Sequence, residues 1–142
     1  MTKTLLLDAV PGANAGADLD TFVDACLILA AQGHAAGLAG QITMRDPDSG
    51  GMVTLALGTG MEEASAANVL LVDAELNTLQ GKGRANPGVR FHSWIYRHHP
   101  EVKAIVHTHP PALSALSMLG MPMPVAHMDA AMFHDDCGFL AH

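Results

Sequence analysis

The stretch Phe91-His92-Ser93-Trp94-Ile95-Tyr96-Arg97-His98-His99-Pro100-Glu101-Val102-Lys103-Ala104-Ile105-Val106-His107-Thr108-His109-Pro110-Pro111 decides how this chain is read. Its first part predicts a helix from Phe91 to His99. Phe91, Trp94 and Ile95 fall on one side, and the residue ahead of Pro100 is driven out of helical backbone. The second part, Lys103 to His109, is a short apolar run closed by Pro110-Pro111, as a strand would be. Residues i and i+2 of a strand point to one face, so His107 and His109 would place two imidazoles side by side at its C-terminal end. Two imidazoles so placed can chelate one divalent metal, although an isolated H-x-H is also what two ordinary polar residues at a strand end look like.

Outward from this stretch the pattern alternates. Toward the N-terminus, Asp18 to Gln32 reads as a helix: Asp18 can cap it, Asp20 lies at its positive end, Phe22, Cys26 and Leu29 recur at helical spacing, and Gly33 stops it. Gly37 to Met44 and Met52 to Leu57 read as two antiparallel strands around the turn Asp46-Pro47-Asp48-Ser49-Gly50-Gly51. Val69 to Leu79 reads as two short strands around a polar turn near Glu75 to Asn77. Beyond the proline pair, Ala112 to Leu119 reads as a helix ended by Gly120. Helix, strands, helix, strand, helix argues for an α/β domain in which a mainly antiparallel sheet is covered by helices.

Composition limits the function. A chain of 142 residues has the length of one domain, spanning 1–142, and its 49% hydrophobic and 15% charged residues suit a packed core. The run Leu5-Leu6-Leu7 is closed at once by Asp8, and no stretch approaches the roughly 20 apolar residues of a bilayer span, so neither a membrane nor export is expected. Seven Lys and Arg against 14 Asp and Glu give a formal charge of -7, which repels phosphate backbones and makes nucleic acid an unfavourable partner. Cys26 and Cys137 form no C-x-x-C element and read as unpaired thiols of a cytoplasmic protein. Eight of the nine histidines lie from His92 onward, which locates the chemistry.

The quoted stretch closely resembles the centre of the class II aldolase/adducin family, with its pattern "H-x-x-I-Y-x-x-x-P-x-V-x-A-I-V-H-T-H-P". The resemblance continues backward through Leu27 to Ile42, similar to the family's first helix and its "G-L-x-x-G-N-I-S-x-R" turn. Leu57-Gly58-Thr59-Gly60 looks like its "P-S-G" loop, and forward the likeness runs through Leu113 to Ala131. It implies an α/β/α sandwich around a mainly antiparallel sheet, assembled as a homotetramer with active sites between subunits. It also implies a divalent metal, Zn2+ foremost with Mn2+, Fe2+ or Co2+ as alternatives, held by His107, His109 and a third histidine further downstream. That third position would fall beyond His142, so the expectation is a domain incomplete at its C-terminus.

Departures from the family pattern bear on the substrate. Where sugar-phosphate aldolases of the family carry "P-S-S-E", with phosphate-binding serines and an acid/base glutamate, this chain has Ala85-Asn86-Pro87-Gly88. A glycine moves no proton and binds no metal. The tyrosine that follows the histidine matching His127 is replaced by Met128, and Gln41 stands for a phosphate-contacting asparagine. His92, one turn beyond Gly88, can serve as metal ligand or acid/base group, or can pack at the helix start and orient another group. Arg90 can receive a carboxylate through its planar fork or remain solvated. Thr59 and the amides around Gly60 can hold an anionic or hydroxyl-bearing group or form a plain turn. Asn86 joins Gln41, Thr59, Gly60 and Arg90 as a candidate substrate-binding residue. Asp129 can replace the missing acid/base group in a neighbouring subunit or sit at a solvated helix end. The expectation is a metal-dependent carbon-carbon lyase, performing aldol cleavage or decarboxylation of a non-phosphorylated, carboxylate-bearing small molecule. The rival is an adducin-like interaction module without catalysis.

Overall fold

The computed structural model describes residues 19–140. Asp18, the expected helix cap, the Leu5-Leu6-Leu7 run and His142 lie outside them. Two compact units are described in turn, the first ending at Thr108 and the second beginning at His109.

The first unit is built on five strands: β1 (Gln41–Arg45), β2 (Met52–Leu55), β3 (Val69–Val72), β4 (Thr78–Gln80) and β5 (Ala104–His107). They form one sheet in the order β4-β3-β2-β1-β5, and every pairing is antiparallel. The expected hairpin is present, with Met44 opposite Val53 and Arg45 opposite Met52. Its turn is held by Asp46, whose carboxylate accepts from the Ser49 amide and hydroxyl. β5 returns from the far end of the sequence to pair with β1, setting Gln41 opposite His107 and Thr43 opposite Ile105.

β2 and β3 are buried along their whole length, since side chains of alternating parity enter two different cores. On one face Ile42, Val53, Leu55, Val69 and Leu71 pack against Phe22 and Cys26 of helix α1 (Leu19–Ala31). On the other, Met52, Leu70 and Val72 pack with Val89 and with Tyr96 of helix α2 (Arg90–His98). The sheet thus lies between two helices, as an α/β/α sandwich requires. Each fully buried apolar side chain contributes roughly 1.5–3 kcal/mol. Cys26 belongs to the core, where burial pushes its thiol up to about 11, so it packs as an apolar residue. Cys137, in the second unit, is exposed, and both thiols are free.

Helix α2 corrects the sequence reading. The expected inward side, Phe91, Trp94 and Ile95, is not the buried one: Trp94 is 59% exposed and Phe91 39%. The buried residues are His92, Ser93 and Tyr96. Their polar atoms mostly find partners on the sheet side, and Arg45 ties the helix end down through bonds from its guanidinium to Tyr96 O (2.8 Å), His99 O (3.2 Å) and Val102 O (3.0 Å). Those bonds satisfy carbonyls that a helix C-terminus leaves open.

A second correction concerns the last strand. β5 ends at His107 rather than His109, so same-face strand spacing does not extend to His109. The second unit opens with His109 and carries helix α3 (Pro111–Ser117), with Pro111 in its first turn, where a missing N–H costs nothing.

Candidate active site

The C-terminal end of β5 and the start of α2 bring His107 and His92 together over one face of the sheet. Gln41 and Thr43, two apart on β1, point to that same face, whereas Ile42 between them enters the α1 core. The ring centroids of His92 and His107 lie 6.3 Å apart and edge to face, and Phe91 stands edge-on to both.

His107 is oriented by Gln41. Its Nδ1 lies 2.9 Å from Gln41 Oε1, and because an amide oxygen only accepts, Nδ1 carries the proton and donates. The lone pair is then on Nε2. A ring N–H donated to a side-chain oxygen is how ligating histidines are ordinarily held in register, so His107 fits a divalent metal. Only Thr108 separates His109 from His107, and covalent reach keeps their Cα atoms within about 7 Å. Among the described residues, no group of three or more His, Cys, Asp or Glu side chains gathers closely enough to hold a metal ion.

His92 is fully buried, and its Nδ1 lies 2.9 Å from Thr43 Oγ1. Thr43 Oγ1 is also 2.9 Å from the Tyr96 hydroxyl, which donates to the Thr43 carbonyl at 3.0 Å. The other imidazole nitrogen, Nε2, is buried with no hydrogen-bond partner among the described residues. Burial, and then the charge of His107 nearby, push His92 down to about 4, so it is neutral at physiological pH. Burial raises Tyr96 above the usual phenol range, against the opposing Thr43 hydrogen bond and Arg45 charge, and keeps its proton in place.

Three of the expected substrate-binding residues line one small recess: Gln41, Thr59 and Asn86, with Gly40 and Thr54 between them. Gly60 and Arg90 are not in its wall. The Gly60 amide donates to the Glu63 carboxylate at 3.0 Å, and the Thr59 amide to Ala56 O, so both are engaged within the loop. Asn86 caps the turn ahead of α2, its Oδ1 accepting from the Gly88 amide at 2.9 Å. Arg90 is exposed on α2. A side chain at position 88 would start 3.2 Å from Gln41 Oε1, so Gln41 borders the space that Gly88 leaves. Asp129 lies in the second unit, exposed, with its amide donating to His127 Nδ1.

Sequence reasoning missed Thr43 and Tyr96. Tyr96 was visible only as one letter of the motif. Thr43 had one signal: it shares a strand face with Gln41, opposite the apolar Ile42.

Residues 20–141 match the family described as Class II Aldolase and Adducin N-terminal domain. The chain is 30% identical to L-fuculose phosphate aldolase of Escherichia coli O6:H1 over 105 residues, 74% of this chain and 47% of that one. It is 30% identical to 3,4-dihydroxyphthalate decarboxylase of Arthrobacter keyseri over 104 residues, 68% of this chain and 42% of the other. The fold is similar to that of L-fuculose 1-phosphate aldolase from Glaciozyma antarctica PI12, with a TM-score of 0.76 and 31% identity over 82% of this chain and 49% of the other. The chain spans about half the length of the curated relatives it matches.

Proposed function

This chain belongs to the class II aldolase and adducin family, and we propose that the protein is a divalent-metal-dependent carbon-carbon lyase. Its reaction is aldol cleavage or decarboxylation of a non-phosphorylated, carboxylate-bearing small molecule. The observation that carries the reading is the pair of imidazoles over one sheet face, each with its Nδ1 tied to a polar side chain. His107 and His109 would hold the metal, Zn2+ foremost, which supplies Lewis-acid stabilisation of the enolate formed as the carbon-carbon bond breaks. Gln41 orients His107. His92 is assigned the proton transfer: once its buried Nε2 is reached by substrate, that atom would take the proton of a hydroxyl in aldol cleavage and return it to the enolate carbon. Asp129 lies in the second unit, exposed, with its carboxylate 3.4 Å from His127 Nδ1.

The substrate class is supported by what surrounds the recess. The Gly60 amide, in the loop that follows Thr59, is taken by the Glu63 carboxylate and so is not offered to a phosphate. A single carboxylate is the smaller demand, and Arg90, exposed on α2 outside the recess wall, has the planar fork that receives one. Similarity to a decarboxylase as well as to aldolases is consistent with either reaction. The protein is proposed to be a cytoplasmic homotetramer.

Elemental analysis of the intact purified protein is the test, coupled to assays on fuculose 1-phosphate and on aromatic and aliphatic hydroxy-carboxylates. The expected result is bound divalent metal in wild type, its loss in a His107→Ala, His109→Ala double variant, and turnover of a carboxylate substrate only. Equal metal in both proteins would refute the lyase and favour an interaction module. Brisk cleavage of fuculose 1-phosphate would refute the substrate class.

A further inference from the structure

We infer that Thr43 and Tyr96 are positioning residues that hold His92 in a single tautomer, with the proton on Nδ1 and the lone pair on the buried Nε2. The inference follows from counting hydrogens along the chain of contacts. The Tyr96 hydroxyl has one hydrogen, and the Thr43 carbonyl can only accept, so that hydrogen lies between them. The 2.9 Å contact between Thr43 Oγ1 and the Tyr96 oxygen must then be donated by Thr43. With its own hydrogen committed, Thr43 Oγ1 accepts the remaining contact, and the donor is His92 Nδ1.

The opposite tautomer fails on two counts. It would set the Nδ1 lone pair against Thr43 Oγ1, turning the Thr43 hydrogen to Nδ1 and the single Tyr96 hydrogen to Thr43 Oγ1, so that the Tyr96 bond to the Thr43 carbonyl is lost. It would also bury an Nε2–H with no acceptor among the described residues, and a buried donor without a partner is the rarer and costlier defect. The arrangement therefore gives His92 one fixed acceptor atom, Nε2, shielded from water in a ring whose centroid lies 6.3 Å from that of His107. Neither Thr43 nor Tyr96 touches the reacting atoms in this account. They act through His92.

That His92 serves a proton transfer rests on the lyase reading above, but the tautomer itself does not, and it can be read without substrate or metal. The measurement is the two-bond proton–nitrogen correlation spectrum of the intact, chelator-treated protein labelled with 15N-histidine, near neutral pH, with His92 assigned through a His92→Gln variant. The expected spectrum shows Nδ1 of His92 at a pyrrole-type shift and Nε2 at a pyridine-type shift. Thr43→Ser, which keeps the hydroxyl, preserves that pattern. Tyr96→Phe releases the Thr43 hydrogen to point at Nδ1, so both shifts move toward the middle as the second tautomer gains population. Thr43→Val moves them in the same direction. A wild-type His92 protonated on Nε2, or a Tyr96→Phe protein with unmoved His92 shifts, would overturn the proposal. Should Thr43→Val fail to fold, the wild-type, Thr43→Ser and Tyr96→Phe spectra still decide it. Failure of the metal assay in the His107, His109 variant would leave these spectra unchanged, so the two readings fall separately.

Discussion

His92 is one residue on which stability, chemistry and sequence reading all turn. Its ordinary value of 6.5 is depressed to about 4 in the folded chain, burial being the main cause. Between those values the unfolded chain binds a proton that the folded chain refuses. Above about 6.5 the group is neutral in both states and has no effect. As pH falls from there toward about 4, folding should lose on the order of 3 kcal/mol from this one side chain. Urea denaturation of metal-free protein across that window checks it, with His92→Gln expected to show the flatter pH dependence. Parallel slopes for the two proteins would mean that His92 is solvated in solution. The sequence marked His92 as a candidate through its place in the motif, one turn beyond Gly88. It could not mark Thr43 as its partner, because 49 positions separate them and only the β1–α2 packing closes that distance.

At the scale of elements, the close pairing of β1 and β5 sets where His107 stands. Gly40 precedes β1 with φ +88, and a Cβ there would lie 2.9 Å from His107 O. Gly40→Ala is therefore both strained in its backbone and driven against the strand that carries the site, and a loss of about 2–4 kcal/mol is expected. Gly33, with φ +75 and nothing within 4 Å, is the control. Gly33→Ala should cost only the left-handed strain, about 1 kcal/mol. Equal midpoints for the two variants in denaturant would show that the approach of Gly40 to β5 is not tight. Most strands were legible because apolar runs between turn residues have few other ways to be buried. The buried face of α2 was not legible, since hydrophobicity alone selects Phe91, Trp94 and Ile95. The real face is His92, Ser93 and Tyr96, whose burial is tolerable because Thr43 and the Ala74 carbonyl receive their polar atoms. A histidine counts as core only when its partner is known.

For the whole molecule, apolar surface remains uncovered. Trp94 and Val106 in the first unit are more than half exposed, and so are Met118, Leu119, Met128, Met132 and Leu140 in the second. Surface of this kind is ordinarily covered by association, and light scattering of the intact protein should return the mass of four chains. The mass of one chain would refute the tetramer. By itself the sequence determined the strand and helix order, the antiparallel hairpin and the family, because each rests on local patterning or on a contiguous motif. It also pointed to His92 and His107 as site residues. Only the tertiary structure decided which face of α2 turns inward, where β5 stops, and that Gln41 and Thr43 orient the two histidines. Those outcomes depend on hydrogen bonds between residues remote in sequence, whose free energy exists only once the sheet has brought donor and acceptor within reach.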